Sequence, residues 1–189
     1  MTPIQDCIKN KNTGLNPIWI MRQAGRYLPE FRKIRAQNTD FIKLCLNESL
    51  STEITLQPIK RFDFDAAIIF SDILMLPFGL GQEVKFEKGL GPKLGELNLD
   101  LIENVSKDEF IKKLNPIYKS ISNISTNSIC KNKDIIGFVG APWTILVYMI
   151  NKMSPKKNLS KEIFNDKLFI NKLLSIIEKF LKIHIENQI

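Results

Sequence analysis

Two short, continuously apolar runs constrain this chain more than any other feature: DAAIIF at residues 65–70 and DIIGFVG at 134–140. A strand with one solvent face alternates apolar and polar residues. An unbroken apolar run bounded by polar residues is the pattern of a strand buried on both faces. Such strands need helices laid over them, so the runs predict a parallel sheet in an α/β fold. The second run passes straight into APWTILVYMI, where Pro142 is placed to open a helix, since its missing N–H falls among donors that have no intrahelical partner. Two runs are few for a closed sheet, and the C-terminal IHIENQI stops inside or just after a helix. The expectation is an unfinished α/β domain.

The remaining segments fit that plan. After a polar N-terminal arm, Leu28 is expected to be extended, with Pro29 opening a helix through EFRKIRAQ. Residues 40–46 (DFIKLCL) read as a short helix. Asn47 offers an N-cap for a helix over 48–60, with Leu50, Ile54 and Leu56 on its apolar side and Pro58 placed to kink its end. EVKFEKGLGPKL (83–94) alternates and contains Gly89, Gly91 and Pro92, as a hairpin would. Helices are expected over 107–114, over 116–131 and from about 160 to the end. For the last of these, Ile163, Phe164, Leu168, Leu173, Leu174, Ile177, Phe180 and Leu181 supply the core face. There is no repeat and no low-complexity linker, so residues 1–189 are expected to form a single, incomplete domain.

Composition removes several function classes. The net charge of +7 comes from lysines scattered among Asn and Ile, without interleaved aromatics, which is a solvated surface rather than a nucleic-acid face. Cys7, Cys45 and Cys130 are far apart and form no CxxC, as expected of free thiols in a reducing compartment. The single histidine, His184, leaves no room for a His-based metal site or a Ser/His/Asp triad. The N-terminus lacks an apolar signal core, and no apolar run approaches the roughly 18 residues of a membrane span, so the cytoplasm is the expected compartment. GLGPKLG (89–95) imitates a dinucleotide fingerprint, but its spacing is GxGxxxG and it lies in the hairpin segment.

Arginine usage is uneven. Of five arginines, Arg22, Arg26, Arg32 and Arg35 fall within PIWIMRQAGRYLPEFRKIR (17–35), against twenty-two lysines elsewhere and around them. A guanidinium stays charged and grips a carboxylate or phosphate through two parallel hydrogen bonds, which an ammonium cannot do. Arg32, beside Lys33, reads as a solvated helix face. Arg22 and Arg26 lie between PIWIM and YLP, company that predicts partial burial and hence an anionic partner. Asp72 ends the strand in AAIIFSD, where α/β folds gather ligands; it could stabilise positive charge on a substrate, or simply cap the following turn. Tyr148, five residues after Trp143 on an apolar helix, reads first as core, with a phenol available if that helix rims a pocket.

PIWIMRQAGRYLPEFRKIR (17–35), TEITLQPIKRFDFDAAIIFSDIL (52–74), GLGP (89–92) and IIGFVGAPWTILVYMI (135–150) resemble, in the same order, segments of the uroporphyrinogen decarboxylase family. The resemblance implies the N-terminal part of a (β/α)8 TIM barrel, homodimeric, with no cofactor and no metal. The implied reaction removes carbon dioxide from the acetate side chains of uroporphyrinogen III to give coproporphyrinogen III in haem and porphyrin biosynthesis. By the same resemblance Arg22, Gln23, Ala24, Gly25 and Arg26 correspond to the substrate-binding loop, with Arg35 a further contact. Asp72 matches the catalytic aspartate, Tyr148 the active-site tyrosine, and Arg22 has a catalytic part as well. The family's later strands, a small hydroxyl residue and a C-terminal histidine have no counterpart here. NKMSPKKN (151–158) replaces a glycine-rich stretch, and His184 has no assigned role.

The expectation is therefore a partial chain that is inactive or poorly folded alone. Two other readings stand beside it. A corrinoid-linked methyltransferase of the same superfamily would have no use for MRQAGR; a non-catalytic half-barrel would bind porphyrinogen without turnover.

Overall fold

The two apolar runs pair with each other. In the computed structural model, which describes residues 2–9, 16–87, 89–154 and 165–189, they form a parallel two-stranded sheet in the register Ala66↔Asp134, Ala67↔Ile135, Ile68↔Ile136. The elements in chain order are α1 (Pro3–Ile8), α2 (Pro29–Gln37), α3 (Phe41–Cys45), α4 (Glu48–Phe62), β1 (Ala66–Ile68), α5 (Met75–Gly79), β2 (Val84–Glu87), β3 (Gly91–Leu94), α6 (Leu99–Glu103), α7 (Lys107–Ser125), β4 (Asp134–Ile136), α8 (Pro142–Asn151) and α9 (Lys167–Glu186), with a 3-10 turn at Ser128–Cys130. The chain is mixed α/β; among the described residues the strands make two separate two-stranded sheets and no closed barrel. The fold divides into two compact units.

The first unit gathers the described residues of Met1–Thr39, Lys43–Ser71 and Pro116–Phe138. Asn47 caps α4 as expected, its side chain accepting the Leu50 N–H at 3.0 Å. Leu56 and Ile59 of α4 pack with Phe64, Ala67, Ile69, Ile124 and Cys130, while Ile54 joins Leu28, Phe31, Ile34 and Leu44 in a second cluster. Hydroxyls knit the helices together. Ser51 donates to Ser120 at 2.6 Å; Thr55 donates to the Ser51 carbonyl at 2.8 Å and accepts the Phe70 N–H at 2.9 Å. Pro58 does not stop α4, which runs on to Phe62 and ends at Asp63 in the left-handed region (φ 52°). Lys133 secures that end, donating to the Asp63 carboxylate and the Phe64 carbonyl, both at 2.7 Å.

The second unit gathers the described residues of Asp40–Ile42, Asp72–Asn115 and Val139–Ile189. The expected hairpin is β2 and β3, antiparallel from Val84↔Leu94 to Glu87↔Gly91. Gly89 and Gly91 both take positive φ (83° and 92°), which explains the glycines of the false fingerprint as turn residues. Phe110 and Phe180 meet at 4.9 Å between ring centroids. A Cβ on Gly79 would lie 2.6 Å from the Phe110 ring, so α5 approaches α7 only because that residue is glycine.

Several expectations are corrected. The N-terminal arm contains α1, capped by Thr2. The two helices foreseen on either side of Pro116 are one, because burial at Phe110, Leu114, Ile117, Ser120 and Ile124 keeps helical spacing through the proline. β4 is half-buried rather than enclosed, as befits a strand with one neighbour in its sheet. Leu168 is 85% exposed in the first turn of α9, whose buried stripe runs instead through Ile170, Leu173, Ile177, Phe180, Leu181 and His184. Ile163 and Phe164 lie outside the described residues. No helix of the described residues is long and apolar enough to cross a membrane.

Thr55→Val keeps the volume but strands the Phe70 N–H. The donor is part-buried and its loss costs about 1 kcal/mol, so urea denaturation is expected to show an unfolding free energy lower by that amount, read as a lower midpoint at an unchanged m value.

Candidate functional site

Residues 18–28 form an irregular segment fastened alongside β1. The Ile18 N–H donates to the Asp65 carboxylate at 2.7 Å, and the Asp65 N–H donates back to the Ile18 carbonyl at 2.9 Å. Gln23 forms a second attachment. Its Nε2 donates to the Ala66 carbonyl at 3.0 Å, and its Oε1 accepts the Ile20 N–H at 3.0 Å. The Tyr27 hydroxyl donates to the Gln23 carbonyl, and the Leu28 N–H to the Gly25 carbonyl at 3.0 Å. Leu28 is buried in the second apolar cluster. Between these anchors the chain turns back on itself.

That turn presents Arg22 and Arg26 to solvent. Partial burial was expected for both and is not found. Of the neighbours that suggested it, Leu28 is buried but Ile18, Trp19, Ile20, Met21 and Tyr27 are open, with Met21 75% exposed, and among the described residues neither guanidinium has an ion-pair partner. An unpaired guanidinium withdrawn from water would carry a desolvation cost of several kcal/mol, so both stay hydrated. The fifth arginine, Arg61, shows what the fork does when an anion is present: Nε and Nη2 each meet a Glu30 carboxylate oxygen at 3.0 Å. The buried member of the loop is Gln23, at 2% exposure, with both ends of its carboxamide in use. Ala24 packs against the second apolar cluster. Arg35 is engaged at the end of α2, donating to the Asn38 carbonyl, a helix-terminal duty rather than a place in the loop. Gly25 has no positive φ, and a Cβ there would only touch the Tyr27 ring at 3.7 Å, so its own chain does not require glycine.

Asp72 and Tyr148 belong to the second unit. Asp72 does cap the turn into α5: its Oδ1 accepts the Leu74 N–H at 2.8 Å and its carbonyl accepts the Met75 N–H at 3.1 Å. Burial raises its carboxyl above the usual aspartate range, with the Leu74 N–H opposing part of that effect. Its other oxygen has no hydrogen-bond partner among the described residues. Tyr148 is half-buried, aligned with Thr144 and Asn151 on the more open side of α8, whose opposite side buries Ile145, Leu146, Met149 and Ile150. Its hydroxyl makes no hydrogen bond among the described residues, so the helix leaves it as a polar handle. No hydrogen bond joins Asp72 to Tyr148 among them either.

Two residues escaped the sequence reading. Gln57 is buried in α4 with both carboxamide atoms unpartnered, and the Ser71 hydroxyl is likewise buried and unpartnered. A polar residue inside an apolar stretch, as in TLQPI and IIFSD, was the available signal. His184 is buried on α9, edge-on to Phe110 at 6.2 Å, and burial pushes its pKa down to about 4. Among the described residues no group of His, Cys, Asp and Glu could hold a metal ion.

The Asp72 shift has a stability consequence with a definite sign. A carboxyl whose folded pKa is raised disfavours the native state once ionised; the penalty is absent below the unfolded value of about 3.9 and grows as pH rises past it. Asp72→Asn keeps the acceptor for Leu74 and removes the charge. It is expected to melt above the wild type at pH 7, with the difference closing as pH falls towards 4 in thermal scans.

Comparison with known proteins bears on this arrangement. The family model described as Uroporphyrinogen decarboxylase (URO-D) matches residues 1–189. A uroporphyrinogen decarboxylase of Campylobacter jejuni subsp. jejuni serotype O:2 is 41% identical over 190 residues, covering 98% of this chain and 55% of its own length. One from Campylobacter fetus subsp. fetus is 40% identical over 188 residues, covering 97% and 54%. One from Jannaschia sp. is 48% identical over 136 residues, covering 71% and 39%. The chain thus spans about half the length of the curated relatives it matches. With a match over its whole length and relatives at this level of identity, the chain belongs to the uroporphyrinogen decarboxylase family.

Proposed function

We propose that this chain carries the substrate-gripping loop and the charge-stabilising acid of a uroporphyrinogen decarboxylase, which converts uroporphyrinogen III to coproporphyrinogen III. The observation that carries the proposal is the pair of hydrated, unpaired guanidiniums on a loop fastened beside β1. Two such forks suit a substrate whose pyrroles bear acetate and propionate carboxylates, and serve little purpose without an anion. In the same proposal residues 1–189 belong to one domain, the N-terminal part of a (β/α)8 barrel that works as a cytoplasmic homodimer.

The chemistry asks for an electron sink. A pyrrole acetate loses carbon dioxide only if the electron pair of the breaking C–C bond has somewhere to go. Protonation of the ring carbon creates a cationic pyrrole that accepts the pair. Carbon dioxide leaves, a proton converts the exocyclic methylene to methyl, and the ring proton is released. Net, one carbon dioxide is replaced by one proton. Asp72 accepts hydrogen bonds from the pyrrole N–H groups and opposes the ring cation. Its raised pKa fits this part, because a carboxylate that is costly when alone gains most where positive charge develops beside it. Arg22 and Arg26 hold carboxylates and orient the ring. A guanidinium is a reluctant proton donor, so Arg22 contributes field and position rather than a proton. Tyr148 offers its phenol to a further carboxylate, and Arg35 stays at its helix end.

A chimera tests this. The 189-residue chain is joined to the part of the Campylobacter jejuni relative that it does not span. Conversion of uroporphyrinogen III is then followed by chromatography of the oxidised products. The chimera is expected to turn over, Asp72→Asn to lose about 10²-fold or more in kcat, and the 189-residue chain alone to show no turnover. A folded but inactive chimera overturns the proposal; robust turnover by the chain alone would show the remaining length to be dispensable.

A further inference from the structure

We infer that Gln23 and Tyr27 are positioning residues that hold the arginine loop in its gripping conformation, and that Gln23 does not itself contact substrate. The inference rests on the proposed role of Arg22 and Arg26. Resemblance had placed Gln23 among the substrate-binding residues, but its surroundings assign it other work. Its side chain is buried, and it uses opposite ends of the carboxamide for two backbone groups that no helix or strand ladder serves, the Ala66 carbonyl and the Ile20 N–H. Only an amide supplies a donor and an acceptor at that reach. A carboxylate would offer two acceptors and leave the Ala66 carbonyl without its donor; an aliphatic side chain would strand both.

Tyr27 completes the clamp. Its hydroxyl closes on the carbonyl of Gln23 itself, four residues back, while its ring stacks on Phe62 at 6.4 Å and 29°. The chain from Ile20 to Tyr27 is thereby held at both ends of the turn, through the Gln23 side chain at β1 and through the Gln23 main chain at Tyr27. Arg22 and Arg26 lie inside this closed path, one immediately before each holding residue. Long flexible side chains grip a carboxylate well only when their Cα positions are fixed, since otherwise binding must also order the backbone at about 1–2 kcal/mol per residue. The clamp makes that ordering part of folding instead of part of binding.

The test uses the full 189-residue chain, with uroporphyrin I as a stable octacarboxylate probe. Gln23→Met removes both amide contacts at similar volume; Tyr27→Phe removes only the hydroxyl. Each is measured alone and in an Arg22→Ala/Arg26→Ala background, by fluorescence titration and by amide hydrogen exchange. Gln23→Met is expected to weaken binding about tenfold and Tyr27→Phe about threefold, the loss of one or two hydrogen bonds of ordinary strength. Exchange is expected to quicken in peptides covering 18–28 and to stay unchanged in α9. The affinity losses are expected to vanish in the arginine-free background, because a residue acting through the arginines has nothing left to act through. Losses that persist there in full would make Gln23 a direct contact and overturn the inference. So would wild-type affinity together with unchanged loop exchange. If Gln23→Met fails to fold, Tyr27→Phe decides by the same criteria. If the wild type ignores uroporphyrin I, or the double arginine variant binds as well as the wild type, the proposed function fails instead, and loop exchange still decides whether the clamp exists.

Discussion

The first unit depends on the complete burial of Ala66 and Ala67 in a strand of three residues. Methyl side chains let other groups come close to β1. On the Ala67 side, Leu56 and Ile59 of α4 and Ile124 of α7 fill the space. At Ala66 the neighbouring group is the Gln23 carboxamide, attached to the backbone itself. A larger residue at Ala67 would displace the helices packed on it. The strand is short, yet it fixes the position of the elements around it, as close-packed interiors do.

Bonding is unevenly shared among the polar side chains. The hydroxyls of Ser51 and Ser120 satisfy each other, that of Thr55 is spent on the main chain, Lys133 closes the end of α4, and Arg61 spends both arms of its fork on Glu30. Arg22, Arg26 and the Tyr148 hydroxyl have no such engagement among the described residues, and Asp72 uses one oxygen on its own turn. Of these, Asp72 alone also has a shifted carboxyl, raised by burial, and such spare capacity adds little to native stability.

Much of the fold was legible because its signals are local. Asn47 before an apolar helix, proline at the start of α2 and α8, and two unbroken apolar runs each carry their reason in neighbouring residues. Pro116 misled because the cost of an interior proline, about 3 kcal/mol, is offset where buried residues flank it at helical spacing, and packing is invisible in a propensity argument. Leu168 misled because apolarity does not compel burial. At the site, residue types were readable and their surroundings were not. Apolar neighbours made Arg22 and Arg26 look half-buried, whereas the polar residue between them is the one enclosed. The bonds that enclose it reach 43 residues along the chain to Ala66, and no local pattern encodes that span.

Gly25 has a consequence of its own. Backbone geometry does not demand it, and nothing nearby would collide with a methyl group. Fold and ligand usually impose their demands on the same atom and cannot be told apart. At this residue the chain by itself is indifferent, so any intolerance of a side chain there would report something from outside the chain lying close against its main chain.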